Sequence, residues 1–334
     1  MVNSNKDHII EVNRFSLPSS AFLSDKSLLT LQDEAKLQAQ VAEHCPNLME
    51  DIEGYRQHLA THYYPPVIKR FRERYAVDIT AKTVAGIATE VITPANGVAA
   101  KNRHKILINL HGGMFTFGGR YAGQMESIPI AALGEITVIS VDYRKAPEHR
   151  YPAATEDVVA VYQALLADYS PENIGMYGCS AGAILAGQAV AALMRQQLPL
   201  PGAVGLISAA PFPLDGDSNH TVSAIQGGVP IALTDLQYFS EVEPDDPEAF
   251  PGLDDAVLRH FPPSVLISST RDFVMSQMVT LHNRLITAGA ISALHLWDGL
   301  AHAFIYLPDL PETDAASAVL VRFFDQHLNQ SGKS

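Results

Sequence analysis

Cysteine is nearly missing: Cys45 and Cys179 are the only two in 334 residues. Two thiols supply neither a disulfide framework nor a zinc site of paired Cys spacings, and they suit a reducing, cytoplasmic setting. Charge is scarce too, at 18% of residues against the roughly 25% usual in soluble chains. It also leans one way, with 23 Lys and Arg against 36 Asp and Glu, a net of −13. Nucleic-acid phosphates are gripped by Lys and Arg, so a nucleic-acid partner is not expected, and an acidic surface repels anionic lipid. No apolar run approaches the roughly 20 residues a membrane span needs, and residues 1–11 are too polar for a secretory leader. No helical His pair with a carboxylate stands at metal-ligand spacing, so no metal and no cofactor is expected.

What the chain does have is apolar residues, 47% of the total, in short blocks. Segments 105–111, 136–143, 173–178, 203–210, 264–269 and 291–297 are runs rich in Val and Ile. Runs apolar on both faces suit buried strands of a parallel sheet. Segments 153–168, 181–197, 276–288 and 315–328 between and after them are helical in character. This alternation predicts an α/β fold, a mostly parallel, doubly wound sheet with helices on both faces. Two stretches stand outside it: residues 1–75, helical in composition, and a proline-rich segment at 211–263. Loops of the second stretch's length are usually functional, and ligands of open α/β sheets bind where such insertions emerge, so the 211–263 segment is expected to form a lid.

Gly178-Cys179-Ser180-Ala181-Gly182 follows a predicted strand and opens a predicted helix, the context in which G-x-S-x-G marks a nucleophile on a sharp turn. Small neighbours let that turn close, and the helix N-terminus favours negative charge developing near Ser180. Upstream, His111-Gly112-Gly113-Met114-Phe115 ends another strand; glycines there let backbone N–H groups approach an oxyanion. Downstream, Asp272 and His302 each follow a late strand. The order Ser, Asp, His is that expected of a hydrolase triad on such a sheet.

These blocks, with Asp142-Tyr143-Arg144-Lys145-Ala146-Pro147-Glu148-His149-Arg150-Tyr151-Pro152-Ala153-Ala154, resemble the hormone-sensitive-lipase-like esterases and lipases of the α/β-hydrolase superfamily over about residues 84–330. The resemblance implies an α/β-hydrolase fold with a helical cap: a catalytic domain at 76–330, with the cap made of 1–75 and the insertion at 211–263. It implies Ser180 as nucleophile, His302 as general base and then acid, and Asp272 as the carboxylate that orients the imidazole. Gly113, Met114 and Ala181 would supply the oxyanion hole, with Gly112 a weaker candidate. His111 would brace the loop, and Glu148 and Asp157 would be scaffold residues. Five positions depart from the family pattern: Met114 replaces its third glycine, Cys179 its usual Asp, Ala183 its usual Gly, and Phe273-Val274 its Pro-Leu. No triad member is lost.

Beside the elbow, Cys179 reads as a small buried apolar residue. Phe115 and Phe117 follow the donor loop and are candidates both for the substrate pocket and for plain core packing. Between Arg195 and Arg259 there is no Lys or Arg but ten acids: Asp215, Asp217, Asp235, Glu241, Glu243, Asp245, Asp246, Glu248, Asp254 and Asp255. That segment is expected to disfavour anionic esters and to dock on the basic run Lys69 to Arg74. The expected activity is cofactor-free hydrolysis of short to medium acyl or other small-molecule esters through an acyl-enzyme, faster as the imidazole base loses its proton. Lactone or amide hydrolysis by the same triad stays open, as does a small-molecule receptor on this fold. An exposed edge strand would permit a homodimer.

Overall fold

The computed structural model describes residues 17–225, 230–232 and 236–328; segment 1–11 and Asp235 lie outside these. Three helices come first, α1 (Asp25–Ala42), α2 (Ile52–His62) and α3 (Tyr64–Arg74), the first two capped by the Ser24 and Asp51 side chains, which accept from the Ser27 and Gly54 N–H groups. There follow β1 (Val77–Val84), β2 (Ile87–Pro94), β3 (Ile106–Leu110), α4 (Gly119–Gly134), β4 (Thr137–Val141), α5 (Ala153–Leu165), β5 (Ile174–Cys179), α6 (Ala181–Arg195), β6 (Ala203–Ile207) and α7 (Asp217–Ile225). The chain continues through α8 (Asp255–Arg259), β7 (Ser264–Arg271), α9 (Met275–Thr287), β8 (Ser292–Ala301) and α10 (Pro311–His327). All six expected strands and all four expected helices are present, with ends shifted by a few residues.

Among the described residues the sheet has eight strands in the order β1-β2-β4-β3-β5-β6-β7-β8. From β4 to β8 every pairing is parallel, while β1 and β2 join as an antiparallel hairpin beyond β4. Strands β3, β5 and β6 are buried at every position, as a sheet covered on both faces demands. The chain steps from β3 outward to β4 and then back across to β5, so β3 and β5 are neighbours whose connections leave in opposite directions. A crevice opens at such a switch point, beyond the carboxyl ends of the strands.

The N-terminal helices are fastened by charge. Arg56 on α2 donates to the Thr116 carbonyl at 2.8 Å, the Ala146 carbonyl at 2.7 Å and both oxygens of Glu148 at 2.7 and 2.9 Å. Near the end of α3, Arg70 pairs with Glu34 and Asp309, and Arg74 with Asp314. The expected docking of the acidic insertion on the Lys69 to Arg74 run is therefore corrected. Lys69 meets Glu73, and the insertion's acids pair elsewhere, Glu241 with Arg150 and Asp255 with Arg284. The cause is topological: α3 packs on α4, and Arg70 and Arg74 face the start of α10 and the loop before it.

The hydrogen bonds from Arg56 hold the Glu148 carboxyl down at about 2. A depressed acid adds stability above its ordinary pKa and loses it as pH falls toward the depressed value. Glu148 is largely exposed, so solvent screening keeps its share small. Replacing Arg56 with Ala is expected to cost about 1–3 kcal/mol at neutral pH, chiefly through the two orphaned carbonyls. The gap in thermal midpoint between wild type and variant should narrow as the buffer is taken from pH ~7 to pH ~3, which a melting series would read.

Candidate active site

Ser180 sits at the turn from β5 into α6 with φ 54° and ψ −120°, outside the regions an L-residue ordinarily occupies. The close approach of two backbones makes this turn possible. A Cβ on Gly182 would lie 1.8 Å from the Leu110 carbonyl oxygen, and one on Gly178 would lie 2.4 Å from the Gly182 carbonyl carbon. The Ser180 N–H is tied to the Ile207 carbonyl of β6 at 2.8 Å. The strained residue is thereby held from both sides, with Oγ raised above the sheet.

The two partners arrive from the ends of β7 and β8. His302 Nε2 lies 3.0 Å from Ser180 Oγ, and His302 Nδ1 lies 2.7 Å from Asp272 Oδ1. Asp272 is fully buried, and it also accepts from Ser268 Oγ at 3.1 Å and the Val274 N–H at 3.2 Å. A carboxylate so placed fixes Nδ1 as the protonated nitrogen, which leaves the Nε2 lone pair for the serine proton. The Phe273 ring packs on the imidazole at 4.5 Å between centroids, so the departure from Pro at that position adds a face to the histidine's seat.

Past β3, Gly113, Met114 and Phe115 all have positive φ, at 122°, 54° and 57°. Among the described residues none accepts from the Gly113 or Met114 N–H, and Ala181 opens α6, where an N–H has no partner within the helix. Gly112 is corrected: its N–H already donates to Glu126 Oε1 at 2.8 Å and is spent. Phe115 is corrected as well. It is fully buried and stacks on Tyr238 at 4.3 Å, among core residues rather than in a cavity. Phe117 does wall the two cavities at the site. His111 braces the loop through Nδ1 to the Gly112 carbonyl at 2.7 Å, and burial holds its imidazole well below its usual pKa. Cys179 is wholly buried, and burial drives its thiol pKa far up, away from the thiolate a nucleophile needs.

Three residues with clear roles here escape the sequence reading: Arg56, Glu126 and Tyr306. Glu126 on α4 is fully buried, and besides Gly112 it takes hydrogen bonds from Asn109 Nδ2 and Tyr306 Oη, each at 2.7 Å. Burial raises its pKa to about 7, against the lowering effect of those donors. The one available signal is a lone acid in the apolar stretch 125–133. Among the described residues no cluster of three or more His, Cys, Asp or Glu could hold a metal ion, and no helix is long and apolar enough to cross a membrane.

A strained serine elbow, a His-Asp pair and unpaired backbone N–H groups thus stand together at the carboxyl edge of a parallel sheet, the arrangement on which serine hydrolases of this fold are built. The family model described as alpha/beta hydrolase fold matches residues 107–306, and the chain belongs to that family. Within it the chain is a carboxylesterase. It is 28% identical to an esterase of Acinetobacter venetianus over 268 residues, 76% of this chain and 84% of that one. To an acetyl-hydrolase of Streptomyces hygroscopicus it is 29% identical over 249 residues, 72% and 80% of the two chains. A crystallised esterase superposes with a TM-score of 0.80 at 29% identity, covering 96% of this chain and 99% of the other. An esterase of the bacterial hormone-sensitive lipase family shares the fold, with a TM-score of 0.77 at 24% identity and coverage of 90% and 99%.

Proposed function

We propose that the protein hydrolyses small-molecule carboxylic esters with short to medium acyl groups, using Ser180, His302 and Asp272 as the triad and an acyl-enzyme as intermediate. The observation that carries this reading is the continuous relay from Ser180 Oγ to His302 to the buried Asp272, at 3.0 and 2.7 Å. His302 takes the serine proton as Oγ attacks the ester carbonyl, and the N–H groups of Gly113, Met114 and Ala181 receive the oxyanion. His302 then gives that proton to the leaving alcohol and draws one from the water that releases the acid. Helices α1–α3 and the 211–263 insertion act as the cap of a catalytic domain at 76–330. The likeness to an acetyl-hydrolase supports the short acyl end of the range.

A phenyl ester and its matched anilide, assayed in parallel, test the reaction class. The account predicts turnover of the ester and far slower cleavage of the anilide, whose leaving nitrogen is the poorer leaving group. Anilide cleavage as fast as ester cleavage, or inertness toward a range of simple esters, would overturn it.

A further inference from the structure

Two cavities meet at His302. The smaller, about 240 Å³, is walled by Ser180, Ala181, Met114, Ile184, Leu214 and Val274 among others. The larger, about 450 Å³, lies under α1 and α2 against Cys45, Tyr55, Leu59, Tyr63 and Tyr64. Its described walls reach His302 and Tyr306 but not Ser180. Gly113, Phe117, His302, Ala303 and Tyr306 wall both spaces, so the two adjoin at the same histidine.

We propose that the larger cavity receives the leaving alcohol and that this alcohol is a bulky, ring-bearing one carrying a short acyl group; the proposal rests on the esterase reading above. The chemistry decides which half of the ester goes where. When Ser180 Oγ bonds to the carbonyl carbon and the bond to the alcohol oxygen breaks, the acyl group stays attached to Ser180. It must therefore lie in a space that Ser180 walls, which is the smaller one. The alcohol oxygen takes its proton from His302 Nε2 and leaves, so the alcohol extends into the space that shares His302 but not the serine. Water then adds to the acyl carbon, its proton passing by way of His302 to Ser180 Oγ, and the acid departs.

Size and wall chemistry set the class. The smaller space has about half the volume of the larger and suits a short acyl chain with its carbonyl. The larger falls in the roughly 300–1,000 Å³ range of cavities that enclose drug-sized ligands. Its walls are rings held by other rings: Tyr55 lies 5.3 Å from Phe117 at 59°, and Tyr64 stacks on Tyr121 at 5.3 Å and 4°. Fixed aromatic faces and edges favour a flat ring over a flexible chain, through offset and edge-to-face contact. Polar groups are few there, Gln38 and the Tyr hydroxyls chief among them.

Two isomeric esters separate the alternatives, naphthylmethyl acetate (large alcohol, small acyl) and methyl naphthylacetate (small alcohol, large acyl). Both release unactivated primary alcohols, so kcat/KM reports the cavities rather than leaving-group strength. The expected result is a preference for naphthylmethyl acetate of about tenfold or more, the scale at which apolar pockets discriminate. In the variant Cys45→Trp, which fills the larger cavity, the kcat/KM ratio of naphthylmethyl acetate to ethyl acetate should fall by about tenfold. An equal or reversed preference between the isomers, or an unchanged ratio in the folded variant, would overturn the cavity assignment while simple ester hydrolysis still stood. Should the variant not fold, the isomer comparison on the wild-type protein decides alone. If neither isomer is turned over while phenyl acetate is, the assignment also fails; if phenyl acetate is inert as well, the esterase reading fails instead.

Discussion

Replacing Ser180 with alanine is expected to lower kcat for a short-chain ester by about 10⁵–10⁶-fold, close to the loss of the whole triad. The only other nucleophile in the elbow is Cys179, and it is wholly buried, with burial favouring its thiol over the thiolate. No neighbour can therefore take over the attack. The turn itself should survive, because its geometry comes from the packing of Gly178 and Gly182 against the Leu110 and Gly182 backbone and from the Ser180 N–H bond to Ile207. Alanine at the same φ carries the same strain as serine. A melting curve matching wild type beside a rate near background would show that chemistry, not folding, was lost.

Asp272→Asn is expected to cost about 10⁴-fold in kcat with little change in KM. The carboxylate at this position receives three donors, His302 Nδ1, Ser268 Oγ and the Val274 N–H. An amide facing that set either turns its NH₂ toward the imidazole, which stabilises the tautomer whose Nε2 already carries a proton, or points it at the other donors. In the first case His302 cannot accept from Ser180; in the second a buried donor is left without an acceptor. Rate constants with an activated acetate, taken across the pH range, would show the loss at every pH.

How far the sequence could be read depended on how local each signal was. The central strands β3, β5 and β6 announced themselves as short apolar runs, because burial on both faces leaves no polar alternation to confuse them. The β1–β2 hairpin escaped for the opposite reason. Its strands carry charge on both faces, Asp78 and Lys82 on one and Glu90 on the other, and it turns at Ala85-Gly86, with Ala85 at φ 50° in place of the Asn or Asp that usually marks such a turn. Helix α4 escaped as well, with glycines in its first turns and Pro129 inside it. With α4 went Glu126, whose role depends on reaching Gly112 and Tyr306 from distant parts of the chain. Ser180, Asp272 and His302 were legible because each stands directly after a recognisable strand, where this fold collects its reactive groups. Arg56 carries little local signal: Glu53 lies one turn before it, but the carbonyls and the carboxylate that its hydrogen bonds reach are 60 or more residues away. The pairing of Lys69 to Arg74 was misread because charge balance along the sequence does not say which acids lie across the packing face.

The central claim is that Ser180 is a nucleophile activated by His302, and a fluorophosphonate probe tests it most directly. Incubated with the intact protein and followed by mass spectrometry and peptide mapping, the probe should add once, at Ser180. Labelling should disappear in Ser180→Ala and slow severely in His302→Ala. An adduct that persists at another residue in Ser180→Ala, or labelling as fast without His302 as with it, would contradict the account.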